Sequence, residues 1–246
     1  MKIFDEIEII GNLPATYFKK IDAIVIADLH LGYEGIAAEQ GVLIPKTQFK
    51  EEMEMLKEIL KKKKSSRIIL LGDIKHEFSE TSYHEFKEVS DLLKFLKENF
   101  KQVIAIKGNH DNYIYYVTSK CGTELYDELL IEDYYFIHGH QDLALKQLEA
   151  KTIVIGHEHP VIALYDEVGG KEIVKCFLYG KTKFEKNLLV LPAFSTLSYG
   201  TEMNLVLKEE LLSPLLKTVD LDEFEAIGVD REAGILKFGK IGRLRV

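Results

Sequence analysis

The sequence is short of the features that mark several large protein classes. None of its apolar runs approaches the roughly 18 residues that cross a bilayer. The opening stretch MKIFDEIEII places acids where a secretory signal would carry its apolar core. Only two cysteines occur, Cys121 and Cys176, and no CxxC spacing. That argues against a disulfide framework or a thiolate zinc site, and for reduced thiols in the cytoplasm. A basic surplus is also missing: the net charge is −8. Proteins that grip long nucleic acid by its phosphates usually present a basic surface. The balance therefore disfavours extended duplex binding and leaves a nucleotide or a strand end as acceptable ligands. There is no GxxxxGK[ST] phosphate loop, and Ser195 and Ser198 lack a GxSxG context. With no repeat, no low-complexity segment and no Pro/Gly/Ser linker, residues 1–246 are expected to form one domain.

What is present is an alternation. Runs rich in Ile and Val at Ile21–Ala27, Arg67–Leu71, Gln102–Ile106, Tyr134–Ile137 and Thr152–Ile155 read as strands buried on both faces. Between them, Lys46–Lys63 reads as a helix with Phe49, Met53, Leu56 and Leu60 on its inward face; Lys61–Lys64 form its solvated end. Ser82 and Glu85 make a capping-box pattern that opens a second helix, with Phe86, Val89, Leu93 and Leu96 inward. A shorter helix is expected over Asp142–Ala150. Alternating strands and helices imply a layered α/β architecture. Past His159 the texture changes. Val161–Tyr165 and Ile173–Tyr179 flank Glu167–Gly170 as a β-hairpin, Asn187–Leu191 forms another strand, and a turn falls near Ala233-Gly234. The C-terminal third is thus β-rich, and it contains no histidine.

Each of the five buried runs ends in residues of metal-ligand type. They lead into Asp28-Leu29-His30, Gly72-Asp73, Lys107-Gly108-Asn109-His110-Asp111, His138-Gly139-His140 and Gly156-His157-Glu158-His159. Six of the eight histidines lie at these ends; His76 and His84 do not. In α/β sheets, ligands bind outside the carboxyl ends of strands, so five ends can serve one place. In an extended segment, residues i and i+2 face the same way. On that geometry Asp28 with His30, and His157 with His159, each aim two ligands together. Carboxylate, amide and imidazole without thiolate suit manganese, iron, cobalt, nickel or zinc. There are more ligands than one ion needs, so two divalent ions are expected, manganese first among the candidates. Two ions can clamp the attacking and leaving oxygens of an in-line displacement at phosphorus. Lys75 and Lys107 flank the motifs and could touch phosphate or simply be solvated, and the loop 32–41 is a candidate for the substrate rim.

Taken in order, Asp28-x-His30, Gly72-Asp73, Gly108-Asn109-His110-Asp111, His138 and Gly156-His157-x-His159 resemble the signature of the calcineurin-like metallophosphoesterases. Within that superfamily, Asp28-Leu-His-Leu-Gly-Tyr-Glu34, Leu71-Gly-Asp-Ile-Lys-His-Glu-Phe78 and Leu191-Pro-Ala-Phe-Ser195 are similar to the archaeal and bacterial PdeM-like, DNA-ligase-associated phosphoesterases. The resemblance implies an α/β fold: a two-sheet metallophosphoesterase sandwich flanked by helices. It implies Asp28, His30 and His159 on one metal, Asn109, His138 and His157 on the other, and Asp73 bridging them with a hydroxide nucleophile. It implies that His110 assists the leaving oxygen and that Asp111 orients His110. Position 76 departs from many relatives, which carry an acid there; His76 is open between a substrate contact and a loop residue. His138 is preferred over His140 as ligand because it directly follows the strand, and His140 stays open as a supporting residue. The implied activity is hydrolysis of a phosphate ester, as a phosphodiesterase acting on a nucleotide or nucleic-acid end. A catalytically silent scaffold on the same fold is the alternative; such proteins usually lose ligands that are all present here. No membrane association is expected, and oligomeric state is not legible.

Overall fold

The computed structural model describes residues 1–39, 41–42, 44–78, 82–145 and 149–245. The expected buried runs are strands, but they divide between two sheets. The first sheet runs in chain order through β1 (Lys2–Ile3), β2 (Ile7–Ile9), β3 (Thr16–Phe18), β4 (Ala23–Ile26), β5 (Arg67–Leu71), β6 (Gln102–Ile106) and β7 (Glu124–Tyr126). Its first four strands form an antiparallel meander, and β4 to β7 are parallel. The second sheet contains β8 (Glu128–Ile131), β9 (Tyr134–Ile137), β10 (Thr152–Ile155), β11 (Pro160–Tyr165), β12 (Lys171–Lys181), β13 (Asn187–Val190) and β14 (Thr201–Glu202). Their spatial order is β14-β11-β12-β13-β10-β9-β8. β12 also pairs with β15 (Glu225–Asp230), which pairs with β16 (Gly234–Lys240). The expected hairpin is β11 with β12, antiparallel.

The pleat explains why these strands are apolar on both sides, since successive side chains face opposite ways. Val25, Ala27, Ile69, Leu71, Ile104 and Ile106 meet Tyr134, Phe136, Val154, Phe177 and Leu189 between the sheets. Their neighbours Ile24, Ile26, Ile68, Leu70, Val103 and Ala105 face the helices instead. Those helices are α1 (Tyr33–Glu39), α2 (Gln48–Lys62), α3 (Tyr83–Asn99) and α4 (Tyr115–Lys120). The outer face of the second sheet is covered differently. Ile153, Ile155, Leu188 and Val190 pack under Leu211, Leu215, Leu216, Val219 and Phe224 from a C-terminal segment of loops and short 3₁₀ turns. The expected helix at 142–150 falls partly on residues 146–148, outside the described residues.

Two local expectations need correction. The loop 32–41 is largely the helix α1. The inward face of α2 is rotated from the apolar stripe: Gln48, Glu52, Met55, Leu56 and Ile59 are buried, while Phe49, Met53 and Leu60 are only partly covered. The reason lies at its amino end. Gln48 and Glu52 are drawn inward because backbone groups of the β4 exit need partners there. Gln48 Nε2 donates to the carbonyls of Leu29 (3.0 Å) and His30 (3.2 Å). The α3 capping box is formed as expected, with Ser82 and Glu85 exchanging hydrogen bonds of 2.8 and 3.2 Å. Such a cap is worth about 1 kcal/mol. Here it does more, because Glu85 Oε1 also accepts the amides of His76 (3.1 Å) and Glu77 (2.6 Å) and so fixes the loop beyond β5.

Candidate metal centre

Side chains carried past the ends of β4 and β5 in one sheet, and of β9 and β10 in the other, converge. Two ligand groups, each with its candidate atoms within 4.8 Å of one another, are Asp28, His30, Asp73, His159 and Asp73, His138, His157. Asp73 belongs to both. Asn109 joins the second group, its Oδ1 lying 3.0 Å from His138 Nε2. A third group, His30, His76 and His110, borders the first.

The ligand pairs are not aimed by alternation along an extended chain, which corrects the sequence argument. Asp28 (φ 56°), His30 (φ 50°), Asp73 (φ 47°), His157 (φ 66°) and His159 (φ 47°) all lie in the left-handed region. Non-glycine residues avoid this region, at a cost of about 1–3 kcal/mol each, and those that adopt it cluster at functional sites. Neighbouring loops hold them there. Asp28 N donates to Gly72 O (3.1 Å) and His30 N to Asp73 O (2.9 Å). Across the sandwich, Phe194 N donates to Ala27 O (2.7 Å) and Ser195 N to Asp28 O (3.0 Å). The two sheets are therefore stitched together at the ligand end.

The donor set fits divalent cations. Asp28 and Asp73 are buried, and their close partners are imidazoles: Asp73 Oδ2 lies 3.2 Å from His138 Nε2, and Asp28 Oδ1 lies 3.4 Å from His159 Nε2. Buried carboxylates persist where they are paired or coordinate metal. Carbonyl partners on Nδ1 orient two of the imidazoles. His159 Nδ1 donates to Tyr199 O (3.2 Å) and His138 Nδ1 to Leu71 O (3.4 Å). Each leaves Nε2 facing the cluster, as carbonyl partners of metal-binding histidines do. The titration of the cluster points the same way. Burial alone would lower His138, but Asp73, Asp28 and Asp111 lift it to about 9. Burial would likewise raise Asp73, yet the hydrogen bond and charge of His138, then His30 and His110, hold it well below the usual carboxylate range. The acids thus demand positive charge. His30 and His157 are held at about 3 and about 4, chiefly by burial, and so remain neutral donors.

His138 sits wholly buried among the ligands, whereas His140 lies outside them with its Nε2 beside Gln141. His110 reaches the edge of the cluster, its Nε2 3.8 Å from Asp73 Oδ2, and its Nδ1 donates to the His76 carbonyl. The expected contact of Asp111 with His110 is replaced by another arrangement. Both Asp111 oxygens are taken by backbone amides, Oδ1 by Ile74 (2.9 Å) and Lys75 (3.1 Å), Oδ2 by Gly108 (2.8 Å). Asp111 clamps the loops after β5 and β6; it acts on His110 only by holding the loop that carries it. Burial and the nearby Asp73 raise its carboxyl to about 6. Lys75 is neither solvated nor at the rim: it is buried, with Nζ donating to Glu77 O. Lys107 lies at the edge of a cavity beside Asn109.

Several supporting residues escaped the sequence reading. Gln48 bonds the β4 exit and also Ser195 Oγ (2.9 Å). Glu158, buried between two ligands, accepts the amides of Leu212 (3.1 Å) and Ser213 (2.8 Å). A polar pair on the inward stripe of α2 was the available signal for Gln48 and Glu52; nothing local distinguishes Glu158 from a surface acid.

Comparison with known proteins settles the family. The model of the calcineurin-like phosphoesterases matches residues 22–181. The chain belongs to the calcineurin-like phosphoesterase family. Members of the family are hydrolases that work with metal ions, and the Asp/His groups described above could hold them. No curated protein sequence matches the chain. Among solved structures it is similar to the nuclease MPE of Pseudomonas putida, with a TM-score of 0.61, 23% identity, and 89% of this chain and 91% of that one covered. This likeness shows the shared fold. A protein of unknown function from Aquifex aeolicus gives a TM-score of 0.36 at 21% identity, covering 60% of this chain and 81% of that one. A conserved uncharacterised protein from Streptococcus pneumoniae gives 0.33 at 14%, covering 87% and 96%.

Proposed function

We propose that the protein is a dinuclear phosphodiesterase. The observation that carries this reading is Asp73, which stands in both ligand groups. One group alone would serve a single ion; a shared carboxylate makes two adjacent sites. Asp28, His30 and His159 would complete one, and Asn109, His138 and His157 the other. Two divalent ions held there, manganese first by ligand type, would supply Lewis acidity and an activated water for attack at phosphorus. The remaining work falls to the chain. His110 stands at the mouth with Nδ1–H held by the His76 carbonyl, so Nε2 faces the cluster and can deliver a proton to the leaving oxygen. His110 N also donates to Asp73 Oδ1 (2.9 Å), which ties the acid's position to that of the shared ligand. Asp111 keeps the two loops in register.

The diester preference is supported by two chambers that border the ligands, described below, and by the sequence similarity to the PdeM-like group. A nuclease among structures of the same fold is consistent with it. The free thiols Cys121 and Cys176 support a reducing, cytoplasmic setting, and no helix among the described residues is long and apolar enough to cross a membrane. The test is hydrolysis of bis-p-nitrophenyl phosphate beside p-nitrophenyl phosphate, with Mn²⁺ and after chelation. Metal-dependent turnover that favours the diester is expected. Turnover of the monoester alone would make the protein a phosphatase. Turnover that survives chelation would sink the metal mechanism, and none at all with metals bound would favour a silent scaffold.

A further inference from the structure

Two chambers border the ligand cluster, and they differ in chemistry. One, of about 250 Å³, is polar, lined by Lys107, Asn112, Asp127, Glu128, His140 and Gln141 beside Asn109. The other, of about 210 Å³, touches His30 and His159 and is walled by Tyr33, His76, His110, Leu197, Ser198 and Tyr199. Each is smaller than the roughly 300–1,000 Å³ of pockets that enclose a whole small ligand. Each therefore suits one part of a substrate whose phosphate lies at the metals.

The second chamber is built from rings. Tyr33 meets His76 edge-on with centroids 4.6 Å apart, and His76 lies at 29° to His110 at 5.7 Å. Phe78 covers His110 at 3.7 Å and 31°. Tyr199, on the chamber wall, is 88% exposed, and Phe78, which reaches the chamber through its contact with His110, is 53% exposed, so two large aromatic surfaces stand in solvent beside a polar site. Both are anchored through their backbone carbonyls. The Tyr199 carbonyl holds His159, and the Phe78 carbonyl accepts Asn112 Nδ2 at 2.9 Å. Leu197, Ser198 and Tyr199 also lie beyond residue 181, where the family match ends, so this wall is supplied by the chain's own C-terminal part.

We propose that Tyr33, Phe78 and Tyr199 form a stacking site for a nucleobase, making the substrate a nucleoside-bearing phosphate ester. The inference rests on the phosphoesterase reading. Aromatic faces hold any base by its π surface, so the site selects for a base without selecting which one. The companion chamber sets Lys107 beside Asp127 and Glu128 with Asn112 and Gln141, a mixed polar lining that suits a hydroxyl-bearing ester arm such as a sugar. A strand end or dinucleotide fits this arrangement, and the net charge of −8 agrees with it.

The experiment is calorimetric binding of AMP and of ribose 5-phosphate to the full-length, Mn²⁺-loaded protein. AMP should bind about 10-fold or more tightly, as expected for one stacked base. Tyr199→Ala and Phe78→Ala should each cut that preference about 5-fold or more. Tyr165→Ala, which removes an exposed ring on β11 outside the chamber, should leave it intact. Equal affinities, no measurable binding of either ligand, or a preference that survives both substitutions would overturn the proposal. Turnover of methyl p-nitrophenyl phosphate, which has no base, reports on the phosphoesterase reading separately: its absence beside a retained AMP preference would remove the hydrolysis and keep the base site.

Discussion

Replacing Gly108 by alanine tests the candidate metal centre without replacing any of its ligands. The added methyl would stand 2.1 Å from Asp73 Oδ1 and 2.3 Å from the Asp73 backbone nitrogen. An ordinary contact is about 3.5 Å, so more than an ångström of overlap must be relieved. Asp73 has no slack to give: it is 2% exposed, and Oδ1 accepts the His110 amide. Overpacking of this kind costs about 1–3 kcal/mol, and a lost charge-assisted hydrogen bond about 1.5–3 kcal/mol. Together that is roughly 3–5 kcal/mol, or a fall in Tm of roughly 6–20 °C for a chain of this length. Displacing the shared carboxylate by about 1 Å should also cost about 100-fold in turnover. Thermal denaturation with and without chelator, metal analysis and diester hydrolysis measure all three. Gly169→Ala is the control, because its φ of +85° strains alanine while nothing lies within 4 Å. It should lose only about 1–2 kcal/mol of stability and keep its metal and activity. Wild-type metal content and turnover within twofold in Gly108→Ala would refute the packing argument.

Four further perturbations follow from the same geometry. Asp73→Asn should lose at least about 1,000-fold in metal-dependent turnover while circular dichroism shows a folded protein; normal turnover would end its bridging role. His110→Ala should keep its metals by elemental analysis but turn over about 100- to 10,000-fold more slowly, the usual worth of a general acid. Glu158→Gln should weaken metal affinity about 10- to 100-fold in a chelator competition, because glutamine keeps only one of the two acceptors that anchor the segment between His157 and His159 on the amides of Leu212 and Ser213. The buried Glu52 and Lys175 predict a pH signature. Burial raises Glu52 from 4.5 to about 8, so the native state holds a proton the unfolded chain releases, and stability falls as pH rises between those values. Burial lowers Lys175 from 10.5 to about 8, so stability rises again from pH 8 towards 10.5. The contribution of this pair is lowest near pH 8, so in urea denaturation Glu52→Gln should flatten the fall in stability between pH 4.5 and 8 relative to the wild type; an unchanged limb would contradict the assignment.

Most of the strands, and the convergence of the candidate ligands, were legible because both depend on short-range signals. Arg67–Leu71, Gln102–Ile106, Tyr134–Ile137 and Thr152–Ile155 are strands with the expected boundaries, since runs of Ile and Val of that length suit few other environments. The ligand types after them survive translation into space because each is fixed by its own strand end. What was not legible depends on contacts distant in sequence. β1 to β3 are two or three residues long and owe their existence to pairing in series outward from β4. The rotation of α2 is set by carbonyls of Leu29 and His30, which no periodicity in α2 reports. The role of Asp111 was misread for a related reason: adjacency to His110 suggested a side-chain pair, whereas its carboxylate is consumed by amides of the neighbouring loop. The left-handed backbone at five ligand positions is equally silent in sequence, because Asp and His tolerate that region only where surrounding loops impose it.

The C-terminal third supplies much of that imposition. The family model's match ends at residue 181, while the fold likeness to the Pseudomonas putida nuclease covers 89% of the chain, and the candidate ligand loops are braced from beyond residue 181. Ser195 N reaches Asp28 O, the Tyr199 carbonyl takes His159 Nδ1, and Ser213 Oγ donates to Gly139 O at 2.9 Å next to His138. Lys175, from β12 of the second sheet, donates to the carbonyls of Ala193 and Ser195 and so holds the same crossing from below. Strained ligand conformations cost energy that a lone sheet edge could not recover. Bracing them from a second segment lets the donors stand pre-arranged, and it places the aromatic wall at Tyr199 in fixed relation to His159. On the proposed reading, residues 193–213 brace both the candidate ligands and the aromatic wall, so substitutions there are expected to change metal affinity and base preference together.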